Sequence, residues 1–173
     1  SGNVQIISPD GTIECHDDLK YIKGRGNFTW NSEKKPYNIE FTQPVEIFDI
    51  GTGKSWCLLA NAFDASNIRN KIVFDFSKNI GLISPGSTFV DLYINNNYMG
   101  LYLLTQKAES ISPSSSYLFE LTPENRIDDS ELIIKTDIGK NYTISSMQKN
   151  ITQEKYNFLL STINSYERAL YSK

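Results

Sequence analysis

Residues 37 to 41 read Tyr37, Asn38, Ile39, Glu40, Phe41, with apolar and polar side chains in strict alternation. That is the two-residue period of a half-buried strand. Residues 19–23 are expected to run as a strand into the glycine-containing stretch that follows, and the apolar run 56–60 predicts another after the Gly51-Thr52-Gly53 turn. Residues 4–7 and 12–15 flank Ser8-Pro9-Asp10-Gly11, whose Pro-Asp-Gly favours a tight turn, so the chain opens with a predicted β-hairpin. Residues 89–94 and 98–104 flank Asn95-Asn96-Asn97, side chains that tolerate left-handed backbone angles, and predict a second hairpin.

Helical spacing enters after residue 64. Asp64 is a good N-cap, Ile68, Ile72, Val73, Phe76 and Ile80 recur at helical intervals, and Gly81 supplies a stop. The pattern predicts a helix over 65–79 that buries Ile68, Ile72 and Phe76. Further on, 112–116 reads as a loop, and 117–121 and 131–135 read as strands around the polar stretch 122–130. Tyr156, Leu159, Leu160, Ile163, Tyr166 and Leu170 mark an amphipathic C-terminal helix. The predicted class is α+β, a mainly antiparallel sheet with one central helix and a C-terminal helix.

At 173 residues and 39% hydrophobic content, the chain can bury one substantial core, and 1–173 is expected to be a single domain. A net charge of -3 without a dense Lys/Arg stripe argues against nucleic acid as a partner. No apolar run reaches membrane-spanning length. Abundant Asn, Ile and Lys with scarce Arg fit an A/T-rich coding sequence, expected of a low-GC bacterium. Cys15 and Cys57 fit no metal spacing and read equally as two free thiols or one disulfide. His16, between Cys15 and Asp17-Asp18, is expected in a surface turn, and Asp128, Asp129 and Glu131 lack the alternating ligands of a calcium loop.

Three blocks carry the candidate chemistry: Ile22-Lys-Gly-Arg-Gly-Asn-Phe-Thr-Trp30, Lys34-Lys-Pro-Tyr-Asn-Ile-Glu-Phe41, and Trp56-Cys-Leu-Leu-Ala-Asn61 continuing to Asp64, Ser66, Arg69 and Asn70. Their order and spacing resemble the CotH kinase family, the spore coat protein H-like atypical kinases. Members read approximately I-K-G-R-G-N-S-T-W, K-K-P-Y-x-I-x-F and W-x-L-L-A-N-x-x-D-x-S-x-x-R-N. The resemblance continues through residues 90–95 and 98–104 and fades after about Ser112. It implies an atypical kinase N-terminal lobe that binds ATP with Mg²⁺ or Mn²⁺, the whole protein phosphorylating Ser/Thr of a protein substrate.

A kinase must hold phosphates, neutralise them, and place an aspartate near the attacking hydroxyl. Gly24 and Gly26 would let backbone N–H groups approach phosphate oxygens, with Arg25, Lys34 and Lys35 supplying positive charge. On the residues alone, a surface turn with solvated lysines is the favoured reading; the resemblance reverses that preference toward the phosphate clamp. Lys35, directly ahead of the alternating strand, is the better placed lysine. Arg69 reads as a phosphate ligand or as a partner of Asp64. Trp30 and Trp56 are expected in the core rather than stacked on adenine.

Two departures bear on activity. Where the family commonly has Thr-Glu-Lys, this chain has Thr105-Gln106-Lys107, and it contains no W-D-x-D segment. No residue is therefore assigned a catalytic or metal-binding role. The expectation is a nucleotide-binding N-terminal portion, inactive as this isolated chain, whose catalytic half lies downstream. The rival expectation is a catalytically silent interaction or scaffold module of a secreted, cell-surface or spore-coat protein. Where the apolar surface left by the missing half is exposed, it would favour a homodimer or strand exchange.

Overall fold

The computed structural model describes residues 2–111, 116–127, 132–144 and 151–172. They divide into two compact units, Ser1–Ile111 and Ser112–Lys173.

The first unit is built on a six-stranded antiparallel sheet. Strand β1 (Gly2–Ile7) turns through Gly11, at φ +90°, into β2 (Ile13–Gly24), and Ser8 N–H to Thr12 O at 2.8 Å closes the turn. The two strands expected at 12–15 and 19–23 are one continuous strand, kinked by a register shift between Leu19 and Tyr21. His16 consequently sits exposed in mid-strand opposite Gln5, correcting the turn assigned to it. After a 3-10 turn (Thr29–Asn31) comes β3 (Tyr37–Glu46), paired to β2 on one side and to β4 (Thr52–Leu59) on the other. Pro44, which cannot donate to a ladder, falls where the β3–β4 register slips between Glu40 and Val45.

Strand β5 (Ser87–Ile94) and β6 (Asn97–Gln106) form the second hairpin. Its turn puts Asn95 and Asn96 at φ 50° and 65°, the left-handed pair that a two-residue hairpin needs. The sheet order is β1-β2-β3-β4-β6-β5. Alternation along the strands puts Leu19, Ile39, Phe41, Trp56, Leu58, Tyr102 and Leu104 into one core. Trp56, Phe41 and Tyr102 are fully buried, as expected for Trp56. Trp30 departs from that expectation: it lies in the 3-10 turn and is 40% exposed.

Helix α1 (Arg69–Asn79) starts four residues later than its apolar pattern predicts. The Asp64 carboxylate accepts from the N–H (3.1 Å) and hydroxyl (2.5 Å) of Ser66, holding 64–67 in a local turn that competes with helix. Asn67, at φ 59°, completes the break. The stop is as expected: Gly81 at φ +81° lets its own N–H reach Lys78 O and the Leu82 N–H reach Ser77 O, a Schellman motif. The expected burial of the helix is not found, since Ile68, Ile72 and Phe76 are 44%, 56% and 61% exposed. The strands and the 3-10 turn Phe48–Ile50 fill the core between themselves, and no α1 residue joins it. A short helix α2 (Ala108–Ile111) ends the unit.

The second unit has a three-stranded antiparallel sheet of β7 (Phe119–Leu121), β8 (Ile133–Lys135) and β9 (Asn141–Ile144), in the order β7-β9-β8, with a 3-10 turn at Glu124–Arg126. Strand β9 is not foreseen from sequence, because four mixed residues give too short a run to show a period. Helix α3 (Gln153–Tyr171) begins at Thr152, whose Oγ1 accepts from Lys155 N–H at 3.2 Å. Leu159 and Ile163 pack on Ile134. Tyr166 and Leu170, expected on the buried face, are 69% and 78% exposed. Asn164 and Glu167 are buried instead: Asn164 accepts from Asp137 N–H at 2.9 Å, and the Tyr142 hydroxyl donates to Glu167 at 3.0 Å. Residues 112–115 of the expected loop, and Asp128, Asp129 and Glu131, lie outside the described residues.

The two faces make opposite demands on substitution. Ile72→Asp is expected to shift stability by less than about 0.5 kcal/mol, as at an ordinary surface site, whereas Phe41→Ala should cost about 3–5 kcal/mol. Denaturant melts of both variants check this, and an unfolded Ile72→Asp protein would show that the α1 face is covered.

Candidate functional site

The three sequence blocks meet at the end of the sheet where β2 stops and β3 begins. Gly24 pairs with Tyr37, Tyr37 with Leu58, and the Arg25 N–H continues the ladder to Pro36 O at 3.1 Å. Gly24 is bare for a packing reason: a Cβ there would fall inside the Trp30 indole ring. Gly26 sits at φ +78°, and a Cβ would meet Thr29 Oγ1. Both glycines therefore fold the loop onto its own 3-10 turn. Among the described residues, no acceptor meets the N–H groups of Gly26, Asn27 and Phe28, all three of them exposed residues. Arg25, half-buried, joins no ion pair among the described residues.

The two lysines diverge. Lys35 donates to Trp30 O at 2.7 Å and lies 5.3 Å from the centre of the Trp30 ring, so Gly24, Trp30 and Lys35 form one stack. Lys34 donates to Leu101 O and sits 4.8 Å from the centre of the Tyr102 ring. Burial holds the Lys34 ammonium below its usual pKa, and burial, then Tyr37, pushes the Tyr102 hydroxyl up to about 12. Lys34 rather than Lys35 lines an open concavity of about 630 Å³, together with Asn31, Glu33, Ala60, Asn61, Phe63 and Asp64.

The far wall of that concavity is a knot of side-chain hydrogen bonds. Asn61, at φ 51°, donates from Nδ2 to Asn67 O and accepts from Asn70 Nδ2, each at 2.9 Å. Asp64 Oδ2 accepts from the Arg69 N–H at 2.9 Å, and its other oxygen lies 3.5 Å from Arg69 Nε. The hydrogen bonds from Ser66 and Arg69 hold the Asp64 carboxyl below its ordinary pKa. Of the two readings of Arg69, the ion pair with Asp64 is present, and the arginine remains 76% exposed. Phe28 of the glycine loop touches Phe63 of this wall, ring centroids 4.9 Å apart.

The family's model, described as CotH kinase protein, matches residues 22–172. The chain belongs to the CotH kinase family. The match runs past Ser112 through α3, so the family pattern reaches well beyond the residues where motif reading loses it. No curated protein matches the chain.

Within this CotH chain, Gln106 has a structural task. Its Oε1 accepts from Gly86 N–H and its Nε2 donates to Thr52 O, each at 3.2 Å, and it fills the space beside Gly51. A glutamate could make the first bond but not donate the second. Cys15 and Cys57 are both free and buried. Burial raises the Cys57 thiol while Arg25 and Lys107 oppose that rise, and its Sγ donates to Asn38 Oδ1 at 3.2 Å.

Kinase families use ATP and a divalent metal, and the residues present fit the two unequally. Free loop N–H groups and an unpaired arginine are the donor set a polyphosphate needs. Among the described residues no three His, Cys, Asp or Glu side chains gather where they could hold a metal ion. Also among them, no helix is long and apolar enough to cross a membrane.

Gly24→Ala should displace Trp30, costing about 1–3 kcal/mol as overpacking does. A red shift in tryptophan emission reports it, because Trp56 stays buried. Asp64 supplies a pH test. Its folded pKa is depressed, so the advantage of wild type over Asp64→Asn is full above the unfolded carboxylate value of about 3.9 and disappears as pH falls through the lower folded value. Denaturant midpoints at several acidic pH values measure this, and a constant difference would show that the charge contributes nothing.

Proposed function

We propose that this chain is the nucleotide-binding portion of an atypical Ser/Thr protein kinase, taking ATP with Mg²⁺ or Mn²⁺. The observation that carries the reading is the unsatisfied row of N–H groups at Gly26, Asn27 and Phe28, next to the unpaired Arg25. Gly24 and Gly26 let the loop fold onto its own 3-10 turn, and residues 26–28 are exposed. Lys35, tied to Trp30, and Lys34, tied to Leu101, each keep further N–H donors and their charge for the anion's flanks. Arg69, held by Asp64 but largely exposed, borders the same wall. ATP, with its metal, supplies the transferable phosphoryl group; these residues bind and orient it. Transfer needs acidic groups around the metal and the attacking hydroxyl. With no W-D-x-D segment in its sequence, the 173-residue chain by itself is proposed to bind nucleotide without turning it over.

One observation favours a second reading, that of a catalytically silent interaction module of a secreted or cell-surface protein. Ile72, Val73, Phe76, Ile80, Leu82 and Ile83 are all more than half exposed around α1, an apolar surface of the kind that marks protein contacts. A second copy of the chain is one such partner, and sedimentation of wild type against Phe76→Asp tests for it.

Titrating ATP and Mg²⁺ while following backbone amide resonances separates the two readings. The nucleotide reading expects shifts centred on residues 24–28 and on Lys34 and Lys35, weakening with added salt and with Arg25→Ala. Shifts elsewhere, or none, would leave only the interaction module. Incubation with radiolabelled ATP and Mn²⁺ should label no Ser/Thr peptide, and labelling that Arg25→Ala abolishes would overturn the proposed inactivity.

A further inference from the structure

Helix α1 lies inside out on its unit. Its half-buried residues are Lys71, Phe74 and Ser77, whereas Ile72, Val73, Phe76 and Ile80 are all more than half exposed. A surface helix ordinarily turns its apolar stripe inward and its charges outward. Polar links tie this one down: the Asp64 carboxylate accepts from the Arg69 N–H, Asn70 Nδ2 donates to Asn61 Oδ1, and Ser84 Oγ donates to Phe74 O at 2.8 Å. Leu82 and Ile83, just past the Gly81 stop, are more than half exposed as well.

The stripe has the extent and the symmetry to cover itself. With half or more of six large apolar side chains bare, roughly 700 Å² is on offer, taking on the order of 200 Å² for each whole side chain. That exceeds the roughly 300–600 Å² of the largest patch on an ordinary monomer and approaches the roughly 800 Å² that each partner gives to a stable interface. Ile68, Ile72, Phe76 and Ile80 form one ridge of i, i+4 neighbours with Phe74 at its midpoint. A two-fold axis at that point sets two copies antiparallel, so that Ile72 of each meets Phe76 of the other and Ile68 meets Ile80. Charge permits the arrangement. Lys71 and Asp75 neutralise one another at 2.6 Å, and the exposed Arg69 arrives at the C-terminal end of the opposite helix, where the carbonyl dipoles favour a cation.

We infer that α1 is the contact through which two copies of this chain pair, antiparallel about a two-fold axis near Phe74. This pairing rests on the interaction reading of the α1 surface and commits it to one partner, a second copy, and to one register, Ile72 against Phe76. It is independent of nucleotide binding.

Sedimentation of the intact chain and of two charge variants tests both the partner and the register. Ile72→Asp or Phe76→Lys alone sets a charge against an apolar side chain twice in the pair, and each should weaken dimerisation at least about tenfold. Mixed in equal amounts, the two variants should dimerise again. In the mixed pair the introduced aspartate meets the introduced lysine on one side of the axis, while native Phe76 and Ile72 meet on the other. Both positions are exposed in the single chain, so melts of the dilute monomers should match wild type and exclude misfolding. If wild type sediments as a monomer at every concentration, the pairing falls; a monomer that floats with phosphatidylcholine–phosphatidylglycerol vesicles, and ceases to with Ile72→Asp, gives the stripe to a lipid surface instead. If wild type dimerises and both variants dimerise as tightly, another surface is responsible and the pairing again falls. If both variants are monomers and their mixture stays monomeric, α1 is the contact and the interaction reading stands, but the antiparallel register is overturned.

Discussion

Strand β3 is hydrogen-bonded on both sides, to β2 and to β4, and that double pairing fixes everything at the candidate site. A strand whose N–H and C=O groups are satisfied in both directions cannot slide without breaking two ladders and turning Ile39 and Phe41 out of the core. Its first residue, Tyr37, is locked between Gly24 and Leu58. The residues just ahead of it, Lys34 and Lys35, are thereby delivered to the point where the glycine loop ends β2 and the Asn61 loop leaves β4. The Tyr102 hydroxyl reinforces the arrangement by donating to Lys35 O at 2.8 Å.

Packing and chemistry divide the labour within the glycine loop. Both glycines are required by neighbours inside the chain, Trp30 for one and Thr29 for the other, so the spaces they leave are filled and form no cradle of their own. Among the described residues the N–H groups of Gly26, Asn27 and Phe28 meet no acceptor, which leaves them for the proposed anion. A glycine-rich motif in a kinase relative thus has two separable physical causes. The Asn61–Asn70 knot follows the same logic, since residues that could read as ligands hold one another first, and Arg69 is largely exposed only beyond its bond to Asp64.

The helices show how burial departs from periodicity. Helix α1 carries a clear apolar stripe, but the sheet beneath has filled its own core, and the stripe stays exposed. Helix α3 does the reverse at its C-terminal end, burying Asn164, which accepts from the Asp137 N–H, and Glu167, whose Oε1 accepts from the Tyr142 hydroxyl while its Oε2 meets no partner among the described residues. Hydropathy alone does not decide which face of that turn goes inward.

Local signals settled a good deal of this protein. Alternation at 37–41, the Pro-Asp-Gly and Asn-rich turns and the Gly81 stop are decided within a few residues by backbone sterics and short-range hydrogen bonds, and they read directly from the chain. The order of the three motif blocks gave the family for the same reason, being a property of sequence. Tertiary structure alone decided which of the two lysines lines the concavity, that Trp30 is spent on Gly24, that Phe28 meets Phe63, and which helix faces are covered. Each of those depends on side chains tens of residues apart arriving at one place. The sheet register that brings them together is a sum of many long-range pairings, and no local window of sequence contains it.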